Sequence, residues 1–253
     1  MTTTLTAPPG PARPAVRTSG PSLPTLVGLE MRKSVSARSG RSLAVASVVL
    51  GPVAMATATA TGDAIGSAAA PIGVIGMLTG LVLLAMGVLS TAGEWSHRTV
   101  QTTFLLVPHR GRVLAAKGIA VALMGAAFAA VSAALSSAVL YATIGGDLTW
   151  DGTVRALVAV IGAGAAFAVT GAGAGAALAN TPATLTSLYL VVLGVLPIVR
   201  TFEPEIGMKL DPAEATLALA QGHMQTQSIL VLTGWVVVAS VAGWVLTHRR
   251  PVQ

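Results

Sequence analysis

Between Arg155 and Arg200 the chain runs 44 residues without a charged side chain. A helix crossing the hydrocarbon core of a bilayer needs about 20 predominantly apolar residues, so this run is too long for one span and fits two. Uncharged runs of 21 residues after Arg41, 30 after Asp63 and 29 after Lys117 stand beside it, and another separates Glu214 from Arg249. Only 9% of the 253 residues are charged, against about 25% in soluble domains. Backbone in lipid has to satisfy its own polar groups, which a helix does within one segment. The sequence therefore predicts an all-α polytopic membrane bundle.

The 44-residue run breaks at Asn180-Thr181-Pro182, because Pro stops a helix and Asn favours the turn before it. Six spans result, at about 42–60, 71–93, 113–143, 153–179, 183–199 and 228–247. An even number puts both termini on one side. With both inside, 12 Lys/Arg fall inside and 3 (Arg155, Arg200, Lys209) outside. That sort obeys the excess of basic residues in cytoplasmic loops. The acids, not used for the assignment, divide two inside and seven outside. Basic charge is thus explained by the membrane, and no nucleic-acid partner is expected.

Residues 1–22 are rich in Pro, Thr, Gly and Ser and read as a disordered cytoplasmic tail. They lack the apolar core of a cleavable signal peptide, so the first span is expected to act as an uncleaved insertion signal. Over 23–41, Leu23, Val27, Met31 and Val35 recur every four residues, with Leu26 beside them and Glu30, Arg32 and Lys33 interspersed. This pattern predicts an amphipathic helix lying in the membrane interface, ending near Arg38. The transmembrane domain then occupies 42–247, and 248–253 form a basic cytoplasmic tail.

Two further segments carry structural signals. Asp211-Pro212-Ala213-Glu214 reads as a helix start, with Asp as cap, Pro at the first helical position and Glu three residues after the cap. Gly222 is placed to end that helix, which serves as an outer lid, lying on the surface or dipping inward. In the fourth span, Gly171 with Gly175, and Gly164 with Ala168, are small-xxx-small pairs of the kind that lets helices approach closely in lipid.

Chemistry is conspicuous by its exclusions. With no cysteine there is no disulfide, thiolate ligand or thiol nucleophile. His97, His109, His223 and His248 lack the H-x-x-x-H spacing of a helical metal site, and G-x-x-x-x-G-K-[ST] is absent, as is G-x-S-x-G. Asp63, Glu94, Asp147 and Asp151 stand at span ends, so no mid-membrane charge marks a proton path. The expectation is a non-enzyme that binds no cofactor or metal directly.

Charge concentrates instead in "EWSHRTVQTTFLLVPHRGRVLAAK", Glu94–Lys117, which holds five of the 24 charged residues. Read as a helix, Glu94 and Arg98 are spaced for an ion pair with the acid first. Val100, Phe104 and Val107 form an apolar stripe flanked by Thr99, Thr102 and Thr103. Pro108 ends the element, and Arg110, Arg112 and Lys117 meet the headgroups as the third span begins. A short inside helix with one apolar stripe suits docking of a protein against the membrane.

"GEWSHRTVQTTFLLVPHRGRVLAAKG" resembles the cytoplasmic segment after the second span of type-2 ABC exporter permeases. The matching positions are Glu94, Thr99, Leu105, Pro108, Arg110 and Lys117. The amphipathic segment with Glu30 and Lys33, the six spans and the Pro-broken junction "NTPATLTSLYLVVLGVLP" extend the likeness over about 25–248. The resemblance implies a permease paired with a second copy and with two cytoplasmic ATP-binding subunits, which would carry the ATP and magnesium. It implies that the Glu94–Pro108 segment, with Arg110 just beyond it, is a coupling helix seated on the ATPase and supported by the Leu23–Arg38 helix. It implies a bacterial plasma-membrane location and export of a small apolar or amphipathic molecule. The low aromatic content, 4%, sets polysaccharide apart from the expected cargo. The rival reading is a membrane scaffold or assembly subunit with no transport path.

Overall fold

A computed structural model describes residues 21–61, 66–96 and 110–250. Among them the chain is all helical. α1 spans Leu23–Ser36, α2 Arg38–Ala60, α3 Ala69–Ser96, α4 Arg110–Ile144, α5 Thr153–Leu178 and α6 Thr181–Phe202. Short helices α7 (Pro204–Leu210) and α8 (Pro212–Gln221) precede α9 (Gln225–Arg249). Six of these helices, α2 to α6 and α9, are long and apolar enough to cross a membrane.

The spans run up and down between two ends of opposite character. One end gathers α1, the C-termini of α3, α5 and α9, and the start of α4, with most of the Arg and Lys. The other carries Asp147, Asp151, Glu203, Glu205 and Glu214. They are called the basic and acidic ends below. At the acidic end a single bridge between Ser67 and Thr149 ties the loop before α3 to the loop before α5. At the basic end Ser96 and Thr181 hydroxyls meet at 3.2 Å.

Small residues decide which helices are central. The apolar window of α3 is 67% buried and that of α5 56%, against 17% for α2 and 22% for α6 and α9. Gly171 faces the Leu84 carbonyl, Gly175 faces Thr91 and the Val88 carbonyl, and Gly87 faces the Ala168 carbonyl. A Cβ at any of the three would strike the partner helix, so α3 and α5 pack backbone to backbone. Gly164 makes the matching approach to α4, against Ala129 and Gly125. The three glycines singled out in the fourth span thus lie at helix crossings inside one chain. Packing replaces the hydrophobic drive that lipid removes. Polar contacts supplement it: Thr91 donates to the Ala172 carbonyl at 2.8 Å, and buried Thr79 and Ser132 meet at 3.2 Å.

Helix boundaries follow local chemistry. Ser22 caps α1 through the Thr25 amide, and Pro24 occupies the first turn. One extended residue, Ala37, separates α1 from α2. Gly40 lets α2 pass against the Ser34 carbonyl at that corner. The helix that carries the first candidate span therefore begins at Arg38. Asn180 accepts from the Ala183 amide at 2.9 Å to start α6, one residue after Ala179 turns left-handed at φ 52°. Span α6 carries a π turn over Leu190–Val195.

The segment between α6 and α9 turns inward. Asp211, only 3% exposed, caps α8 through the amides of Ala213 and Glu214, with Pro212 at the first turn and Gly222 left-handed at the end. The Leu210 carbonyl accepts from Trp235 Nε1 at 2.8 Å, and Trp235 lies ten residues into α9, about 15 Å along it. At the other end of α8, Leu217 and Ala220 pack on Gly73 near the start of α3. So α7 descends between the spans, Asp211 sits at the tip, and α8 climbs back. The lid segment packs against α3, α5 and α9, and Asp211 is a buried acid within it.

Candidate functional site

The largest concentration of buried charge lies at the basic end. Glu30 of α1, Glu94 of α3 and Lys117 of α4 are 9%, 8% and 4% exposed. Lys117 stands seven residues into α4, about 10 Å along the helix. Its ammonium donates to Glu94 Oε1 at 2.9 Å and also contacts Glu30. Lys33, more exposed, contacts Glu94 and lies 3.8 Å from Glu30 one turn earlier on α1. Among the described residues two carboxylates and two ammonium groups thus alternate, and their charges balance.

The helices place these groups for apolar reasons. Leu26, Val27 and Glu30 share one face of α1, and Val113, Ala116, Lys117 and Ala120 share one face of α4. The apolar members pack together with Met31 and Trp95 at their edge, which brings the charged members into register. Removing an ion from water costs several kcal/mol even after relaxation. The alternating arrangement offsets that cost, since each buried charge has an opposite charge in contact.

This geometry differs from one expectation: Lys117 is not an open basic residue at the start of α4 but is enclosed by Glu30 and Glu94. The Glu94 carboxylate contacts both Lys33 and Lys117, so it is part of the joint between α1, α3 and α4. Its expected pairing with Arg98 falls outside the described residues. So do Thr99, Val100, Phe104, Val107 and Pro108, while Arg110 is the first residue of α4. The apolar stripe of α1 has partners within the chain. Val27 and Met31 pack on α4 rather than on lipid, Glu30 and Lys33 enter the charge cluster, and Val35 is exposed.

Contacts around the cluster tie down the rest of the basic end. Arg250 donates to the Ala176 and Ala177 carbonyls at 3.1 and 2.6 Å, closing the C-terminus of α5, and its guanidinium lies 5.5 Å from the Trp95 ring centroid. Gly111 packs under the Trp244 indole. Arg112 donates to the Pro21 carbonyl at 3.0 Å. A cavity of about 600 Å³ opens beside the cluster, bounded by Glu30, Lys33, Gly93, Lys117 and the Thr181-Pro182 corner.

Chemically the cluster is closed. Among the described residues no three His, Cys, Asp or Glu side chains converge as metal ligands. Both carboxylates are in contact with ammonium groups. What the cluster does is mechanical: it joins α1, α3 and α4 on both sides of residues 97–109. A signal for it was present in the sequence, since Glu30 falls on the apolar stripe of α1 three and four residues after Val27 and Leu26. Comparison with protein-family models and with curated proteins finds no match for the chain.

Proposed function

We propose that the chain is the membrane-spanning subunit of an ATP-driven exporter of the type-2 ABC superfamily. Residues 97–109 form the coupling element, and both termini face the cytoplasm. The observation that carries this reading is the buried cluster of Glu30, Lys33, Glu94 and Lys117. It grips the chain three residues before the 97–109 segment and eight residues after it, and fastens both grips to α1. A force applied to the segment by a moving ATPase is then shared by α1, α3 and α4 instead of bending one loop. Loss of either grip would leave a hinge where a lever is needed.

The distribution of basic residues supports the orientation, since nine of the 12 Lys and Arg among the described residues lie at the basic end. Two copies of the chain would pair with two ATP-binding subunits, on which ATP and magnesium would reside.

The test is copurification. The tagged chain, extracted from its native membrane in mild detergent, should bring down a soluble polypeptide that hydrolyses ATP. Arg98→Glu should reduce that recovery without altering membrane insertion. Recovery of the chain free of any nucleotide-binding polypeptide under conditions that preserve its fold would favour the scaffold reading.

A further inference from the structure

Consecutive spans α6 and α9 make no extensive contact with each other. Between them lies an apolar groove of about 800 Å³, floored by Ala174 and Ala177 of α5 and walled by Val191 of α6 and Val238 of α9. It runs along α9 from Gln227 to Ala242, fifteen residues or about 22 Å. The π turn of α6 includes Val191, one of the wall residues; such turns recur at functional sites in membrane and soluble helices alike.

Lys209, near the inner end of α7, and Gln227, near the start of α9, are polar residues lining the groove toward the acidic end. Lys209 is exposed and forms no ion pair among the described residues, not even with Glu205 one turn before it. The other two cations at that end are committed. Arg200 pairs with Glu214 at 2.5 Å, and Arg155 donates to the Ala220 and Gln221 carbonyls at the end of α8. Met208 and Leu210, on either side of Lys209, are held through their carbonyls to Gln227 and Trp235 of α9, so the backbone carrying Lys209 is fixed beside the groove.

We infer that this groove binds a single-chain amphiphile with an anionic head, its head at Lys209 and its tail laid toward Ala242. A cation beside an otherwise apolar groove favours an amphiphile with an anionic head over an apolar helix of a second copy. The length suits one acyl chain. One leaflet of hydrocarbon is about 15 Å, half of the ~30 Å core, so a 22 Å groove takes a whole tail and crosses the midplane. An ammonium without an ion-pair partner among the described residues, beside a groove lined mostly by apolar side chains, selects a negative head over a neutral one. Identifying the amphiphile as the cargo rests on the exporter reading; the binding itself does not.

Trp235 lines the groove and reports on it. The test titrates the purified full-length chain, in uncharged detergent, with hexadecanoic acid brominated at mid-chain, and reads quenching of tryptophan fluorescence. Saturable quenching is expected in the native chain and should vanish in Trp235→Phe. Lys209→Glu should weaken binding at least tenfold, and Lys209→Arg should retain it. Gly234→Leu should abolish it by filling the groove; a Cβ at Gly234 meets no atom within 4 Å, so this variant is expected to fold. If it does not, the contrast between Lys209→Glu and Lys209→Arg still decides. Equal binding of the brominated alcohol of the same length, or indifference to Lys209→Glu, overturns the anionic assignment. Quenching that survives in Trp235→Phe places the ligand elsewhere. Equally tight binding of brominated phosphatidylglycerol overturns the single-chain assignment in favour of a bilayer-lipid seat. No ATPase enters this assay, so its failure leaves the exporter reading standing, and absence of an ATPase partner leaves the groove's ligand standing.

Discussion

Lys117 carries more of the basic end than any other side chain. It is nearly inaccessible and holds Glu30 and Glu94 together. Lys117→Met should therefore strand two buried carboxylates with only Lys33 between them. Removing one member of a buried ion pair costs about 3–5 kcal/mol, so the variant's unfolding midpoint in detergent should fall well below that of the native chain. Adding Glu30→Leu to Lys117→Met should recover part of the loss, because an apolar replacement removes the stranded charge. Glu94→Ala is expected to lower stability as well as ATPase recovery, whereas Arg98→Glu should affect recovery alone. A charge count places Lys117 in the headgroup layer because it closes an uncharged run, and only the packing of α1 on α4 shows the enclosure. The seven-residue offset from Arg110 and the apolar neighbours Val113, Ala116 and Ala120 are the physical reason for the difference.

At the scale of elements, the small-residue faces of α3 and α5 and the inward hairpin α7–α8 are the features that differ from ordinary spans. Gly171→Leu should separate α3 from α5, since its Cβ meets the Leu84 backbone carbonyl, and the variant should be recovered as aggregate in size-exclusion chromatography. Gly162→Ala, exposed on the same helix with no atom within 4 Å, should raise stability by up to about 1 kcal/mol through helix propensity. Asp211→Ala removes a cap worth about 0.5–2 kcal/mol and should speed hydrogen exchange over 212–216 before the spans respond. The hairpin's caps were legible because Asp-Pro-x-Glu and Gly have fixed positional meaning. Its depth was not legible. Ala213, Ala215 and Ala220 fit a protein interior as well as a membrane surface, and depth is set by Trp235 and Gly73 from distant parts of the chain.

For the molecule as a whole, six apolar helices, their order and their breaks follow from the spacing of charge and from Asn180-Thr181-Pro182. Lipid leaves few alternatives to a helix, which is why so much of the fold was readable. The side-to-side arrangement was not, because α2, α6 and α9 are as apolar as the central helices and differ from them only in which residues are small. Orientation is tested in this cysteine-free chain by single replacements. Leu5→Cys should resist an impermeant maleimide in intact cells and react after permeabilisation, and Glu205→Cys should react in intact cells; the reverse pattern would invert the proposed topology.

The claim that residues 97–109 are a coupling element is tested most directly by a photo-crosslinking amino acid at Phe104, on the apolar stripe of that segment, in the full-length chain in its native membrane. Irradiation should join the chain to a soluble ATP-hydrolysing subunit, and the yield should fall when Arg98→Glu is added. Adducts confined to lipid or to a second copy, with yield indifferent to Arg98→Glu, would contradict the account.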